Sequence, residues 1–110
     1  MEREKMIEAW LRHRVEERGG VCMKFISPGN DGVPDRVVIM PEGRVYFVEL
    51  KTNAGKLSKI QWFQLKRMLN LGHTCSVIFG MDAAKEYLRD LDADRVGVWY
   101  GAHWEDMITP

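Results

Sequence analysis

The most constraining feature of the sequence is a pair of β-type runs, Asp35 to Met40 and Arg44 to Lys51, separated only by Pro41, Glu42 and Gly43. Both runs are rich in Val, Ile, Tyr and Phe, whose branched or flat side chains suit a pleated, half-buried surface. The connection suits a three-residue hairpin loop, with Pro presetting the first turn position and Gly free to turn left-handed. If those residues form the loop, Met40 pairs with Arg44, and counting outward along the ladder sets Asp35 opposite Glu49. Side chains alternate across a strand, so Glu49 and Lys51 share one face and Asp35 joins them.

Two carboxylates placed in this way call for a positive charge between them. Directly opposed residues have Cβ atoms about 4.5 to 5.5 Å apart, and at an effective dielectric constant of about 20 two carboxylates about 5 Å apart repel by roughly 3 kcal/mol. Mg²⁺ takes carboxylate and carbonyl oxygens together with waters, and a divalent ion removes the repulsion. Lys51 is no ligand, but an ammonium beside a metal can orient a bound water or oppose the charge that grows on phosphorus. The competing explanation is an exposed cross-strand salt-bridge face. The apolar neighbours Val37, Ile39, Val45 and Phe47 on the same face argue instead that the charges look inward.

The remaining segments supply the setting. Residues 2–18 are predicted helical from the spacing of Ile7, Trp10, Leu11 and Val15, with Gly19-Gly20 as the stop. Val21 to Ile26 reads as a strand and Ser27 to Gly32 as a loop. Ser58 can cap a helix running to about Asn70 with Trp62, Leu65 and Leu69 buried, followed by a strand from Thr74 to Phe79. Asp82 can cap a third helix that buries Ala84, Tyr87, Leu88 and Leu91, before a last strand from Val96 to Tyr100. The order α-β-β-β-α-β-α-β predicts an α/β fold, a mixed sheet flanked by helices. At 110 residues one domain with one core is expected, spanning 1–110.

Composition excludes several classes. No run of about 18 apolar residues is present to span a membrane, and the opening MEREKMIEAW lacks the apolar stretch of a secretory signal, so a cytoplasmic setting is expected. Cys22 and Cys75 lie far apart without partners at metal-ligand spacing and are expected to be buried thiols. His13, His73 and His103 share no spacing and are assigned to surface or packing. Net charge is zero, but no acidic residue falls between Glu49 and Asp82, whereas Lys51, Lys56, Lys59, Lys66 and Arg67 do. One locally basic face could therefore meet phosphate, although a solvated helix face is the commoner meaning of such a run. Trp10, Trp62, Trp99 and Trp104 are expected in the core or at a subunit interface. Val96, Val98, Trp99, Tyr100 and Trp104 are more apolar bulk than a short final strand is expected to bury, which points to a two-fold homodimer.

GVPDR at residues 32–36 and VELK at residues 48–51 resemble the PD-(D/E)xK nuclease motif. Their setting resembles the VRR-Nuc branch of that superfamily: an N-terminal helix bearing a Glu, a Gly-x-Pro-Asp entry to the hairpin, Glu-x-Lys, then KTNAGKLSKIQ at residues 51–61. The likeness covers roughly residues 4–80. It implies a restriction-endonuclease-like fold in which Asp35 and Glu49 hold Mg²⁺, or Mn²⁺ in its place, the Leu50 carbonyl adds a ligand and Lys51 acts on the attacking water. It also implies a helix carboxylate near the metal. Glu4 fits best, three residues before Ile7 and seven before Leu11, and Glu8 on nearly the same face is the runner-up. Gln61 matches the family's helix glutamine, but Ser58-x-x-Gln61 is equally a capping box. Lys24, the one charge in its strand, is expected to touch a phosphate of nucleic acid together with Lys56 and Lys59, or else a carboxylate. The implied activity is that of a Mg²⁺-dependent DNA endonuclease acting as a homodimer on branched DNA such as Holliday junctions. The alternatives are a nucleic-acid-binding or assembly module without cleavage, and a nicking or restriction-type nuclease that needs a partner chain.

Overall fold

Ile7, Leu11 and Val15 fall on one stripe of helix α1 (Glu4–Glu17), and burying that stripe ties the helix to the sheet. Gly19, at φ 81°, turns the chain into strand β1 (Val21–Lys24). Strands β2 (Arg36–Met40) and β3 (Arg44–Lys51), helix α2 (Lys59–Asn70), strand β4 (Cys75–Phe79), helix α3 (Met81–Asp92) and strand β5 (Trp99–Tyr100) complete the expected order. This computed structural model describes residues 3–101 and 104–108, and His103 and the side chain of Trp104 lie outside the described residues. The sheet runs β1-β2-β3-β4-β5, antiparallel through β3 and parallel from β3 to β5, so the sheet is mixed and β3 is its centre.

The hairpin register is the expected one, from Met40 against Arg44 to Arg36 against Val48. The loop needs more than the sequence reading allowed, since Glu42 (φ 69°) is left-handed as well as Gly43 (φ 75°). Other boundaries also shift. β1 ends at Lys24 instead of Ile26, and Ile26 is exposed. Gly80, not Asp82, occupies the N-cap of α3, at φ 92°, leaving Asp82 inside the first turn, where the helix dipole favours an acid. β5 keeps two residues of the five predicted.

The expected single core is divided by the sheet. Val38, Met40, Tyr46, Val48, Leu50 and Ile78 face α1 and α3, while Cys75, Val77 and Phe79 on the opposite face meet Leu57 and Leu65 under α2. Val96, Val98 and Trp99 are half-buried against these clusters and Tyr100 is buried, so these four of the five residues assigned to a C-terminal surplus find cover within the chain, the side chain of Trp104 lying outside the described residues. The exposed apolar residues are elsewhere. Val21, Met23 and Val45 lie on the α2-side face of the antiparallel half and are open to solvent. Among the described residues no helix is long and apolar enough to cross a membrane.

On α2 only Leu65 of the predicted stripe is fully buried, and Gln64 is buried beside it. Gln64 Nε2 donates to the Asp31 carbonyl at 3.1 Å, which ties the loop before β2 to the helix. Gly32 is required at this contact. It sits at φ 90°, and a Cβ there would come 2.7 Å from the Ile60 carbonyl oxygen. Gly32→Ala is therefore expected to destabilise the fold by about 2 kcal/mol, measured as a lowered urea midpoint at unchanged slope.

Candidate active site

Asp35 precedes the first paired residue of β2, and the register sets it facing Glu49. The two residues grip each other's strand. The Asp35 N–H donates to Glu49 Oε1 at 3.2 Å, and the Leu50 N–H donates to Asp35 Oδ1 at 3.4 Å. Lys51 Nζ stands 3.4 Å from Glu49 Oε2, and Gln61 Nε2 donates to the same oxygen at 3.2 Å. Asp35, Glu49, Lys51 and Gln61 thus meet at the C-terminal end of the central strand.

What buries Glu49 is not what the sequence argument proposed. Val45 is exposed, and Val37 and Ile39 are only half-buried. Gly32, Pro34, Leu57, Leu65 and Val77 enclose the carboxylate instead, brought there by the loop before β2, the segment before α2, and β4. This burial, followed by the charge of Asp35, pushes the Glu49 carboxyl up to about 7, with Lys51 pulling the other way. Burial also holds Asp35 above the ordinary carboxylate range, opposed by Arg36 and by the Leu50 N–H. The repulsion inferred from the sequence is present, but loss of water is the larger cause.

Arg36 gives Glu4 and Glu8 different surroundings. Its Nε lies 3.5 Å from Glu8 Oε2, and Arg12 Nε lies 3.5 Å from Glu8 Oε1, so Glu8 is held in ion pairs. Glu4 instead lies on the Asp35 side, where partial burial followed by the Asp35 charge raises its carboxyl. The sequence reading missed Arg36, which also reaches Asp35 Oδ2 at 3.4 Å. Strand alternation was the available signal, because it turns Arg36 from the Asp35 side toward α1.

Gln61 makes both the contacts of a capping box and a contact with Glu49. Its Oε1 accepts from the Ser58 N–H at 2.9 Å and its own N–H donates to Ser58 Oγ at 3.2 Å, completing the capping box. The other end of the amide, Nε2, remains for Glu49. Lys24 is exposed at the end of β1 opposite Arg36, and Lys56 and Lys59 are exposed around the start of α2. None of the three has an ion pair among the described residues.

Among the described residues no group of three or more His, Cys, Asp or Glu side chains is arranged to hold an ion unaided. A pair of hard carboxylates is nonetheless the donor set that Mg²⁺ uses, since that ion keeps several waters and takes one or two carboxylates. The raised carboxyl of Glu49 fits the same reading, since it is buried beside Asp35, a like charge that a cation would neutralise.

A mixed α/β sheet whose central strand carries Glu-x-Lys opposite an Asp, between helices on both faces, defines the restriction-endonuclease-like PD-(D/E)xK class. No model of a known protein family matches the chain. Among solved structures it is similar to a chain described as a VRR_NUC domain, with a TM-score of 0.73 and 26% identity over 78% of this chain and 94% of the other. It is also 41% identical over 80 residues, 73% of this chain and 86% of the relative, to "Putative nuclease p44" of Acyrthosiphon pisum secondary endosymbiont phage 1. The chain belongs to the VRR-Nuc family of PD-(D/E)xK nucleases.

Proposed function

We propose that the chain, as one nuclease domain over residues 1–110, is a cytoplasmic metal-dependent DNA endonuclease that selects branched DNA such as Holliday junctions and works as a homodimer. The observation that carries this reading is the convergence of Asp35, Glu49 and Lys51, with both carboxyls raised by burial. Asp35 and Glu49 would hold Mg²⁺ or Mn²⁺, with the Leu50 carbonyl and Glu4 as further oxygen donors. The ion would supply Lewis acidity toward a water and a phosphate oxygen. Lys51, beside Glu49, orients the attacking water and opposes the charge that grows on the phosphate as the new P–O bond forms and the leaving P–O bond breaks. Gln61 fixes the rotamer of Glu49 from a capped, rigid helix start. Lys24, Lys56 and Lys59 contact flanking phosphates, and their lack of ion pairs among the described residues supports that role.

A binding module without cleavage is the weaker reading, because an acid as buried as Glu49 beside a second acid is costly in a protein that does not use it. Two identical sites related by two-fold symmetry would suit cutting two strands, and exposed Val21, Met23 and Val45 offer apolar surface for a second copy. Incubation with labelled junction, flap, duplex and single-stranded DNA is expected to give products from branched substrates only with Mg²⁺ or Mn²⁺. Binding without product under every condition, or full activity in excess chelator, overturns the enzyme. A monomer mass by light scattering at micromolar concentration, with and without DNA, overturns the homodimer.

A further inference from the structure

Outside the metal-binding cluster, the loop of residues 27–33 and the outer side of α2 enclose an open cavity of about 240 Å³. Its apolar walls are Phe25, Met68 and Leu71, its polar wall carries Asn30 and Gln64, and Arg67 stands at the rim. Both amides are held in place. Asn30 donates from Nδ2 to Ser27 Oγ at 2.9 Å and from its N–H to the Ser27 carbonyl at 3.0 Å, and Gln64 is bound to the Asp31 carbonyl. Phe25 is braced by Phe47, with ring centroids 5.4 Å apart. A braced aromatic ring, flexible apolar walls and amide edges are the features that receive a planar base.

The surroundings give the charge of the occupant. Arg67 is exposed and has no ion pair among the described residues. A second hollow, lined by Phe63, Lys66, Arg67 and Asn70, extends the groove along α2, and no acidic residue occurs between Glu49 and Asp82. Exposed Phe63 and Leu71 within a basic stretch are poorly explained by a merely solvated helix face. The loop before β2 links the groove to the catalytic cluster along the chain. Val33 lines the groove, Pro34 lies against Glu49, and Asp35 follows. Gln64 is one helical turn beyond Gln61, a rise of about 5 Å, comparable to one or two nucleotides of strand.

Resting on the nuclease reading above, we propose that this groove accepts the base of one unpaired DNA nucleotide beside the phosphate to be cut, with Arg67 on its backbone. The site would give a physical basis for preferring branched or frayed DNA, because a paired base cannot enter. The test is ¹⁵N-detected titration of the full chain with tetrathymidylate in excess chelator, where no cleavage intervenes. Saturable shifts are expected at the side-chain amides of Asn30 and Gln64 and at Arg67. Leu71→Trp, which fills the groove from a position 71% exposed and so tolerant of change, and Arg67→Ala are each expected to weaken binding about tenfold. Shifts confined to Lys56, Lys59 and the acidic cluster, no saturable binding, or unchanged affinity in both variants would overturn the site. Cleavage of junction DNA with Mn²⁺ is scored separately. Cleavage without groove shifts removes only this proposal, whereas groove shifts without any cleavage leave the nucleotide site standing and remove the enzyme.

Discussion

Lys51→Ala is expected to cleave about a thousandfold more slowly than the parent while still binding Mn²⁺. The ammonium has three donors and no lone pair, so it cannot be a ligand, and its loss takes no oxygen from the metal site. What is lost is a cation held 3.4 Å from Glu49, beside the place where the proposed reaction would develop charge. Asp35→Ala and Glu49→Ala should lose both properties, because each removes a carboxylate. Single-turnover cleavage of junction DNA and calorimetric titration with Mn²⁺ separate the two effects. If Lys51→Ala cut within tenfold of the parent, or lost Mn²⁺ binding as completely as Asp35→Ala, the assignment of Lys51 to the chemical step would be wrong.

The parts of this site that could be read from the sequence are those governed by local rules. A Pro-Glu-Gly loop fixes the register, the register opposes Asp35 to Glu49, and alternation adds Lys51. The capping box is equally local, and the two ends of one amide let Gln61 serve Ser58 and Glu49 at once. What could not be read depends on contacts distant in sequence. Glu4 and Glu8 share a helix face, and only Arg36, arriving from β2, pairs with Glu8 and leaves Glu4 to Asp35. Alternation marks Val21, Met23 and Val45 as one face but does not say that α2 leaves that half of the sheet uncovered. For the same reason the cover found by Val96, Val98 and Trp99 depends on a two-residue strand joining β4.

Without metal, the protein is expected to lose about 3 kcal/mol of stability between about pH 4.5 and pH 8, opposite to the usual behaviour of a salt-bridged carboxylate. The direction follows from Glu49. Its carboxyl is raised from 4.5 to about 7 in the fold, so the native state holds a proton that the unfolded chain has released. That contribution is fully present below about pH 4.5 and is lost as the pH rises through about 7. Asp35 and Glu4 are raised as well and act in the same direction. Asp92, lowered by its bond to Arg18, works oppositely, but only near the bottom of this range. Asp35→Asn keeps an oxygen for the Leu50 N–H while removing the charge beside Glu49, so metal-free Asp35→Asn should melt above the metal-free parent at pH 8. Burial remains the larger cause, and a smaller pH slope should therefore persist in the variant. Saturating Mn²⁺ should reverse the order, stabilising the parent by about 2.7 kcal/mol at a hundredfold excess over Kd and flattening its pH dependence, whereas the variant, short of a ligand, gains far less. Melting curves from pH 5 to pH 8, with chelator and with Mn²⁺, give all four comparisons. Metal-free stability that is flat or rising over this range, or an equal response of both proteins to Mn²⁺, would mean that Asp35 and Glu49 do not form one shared cation site.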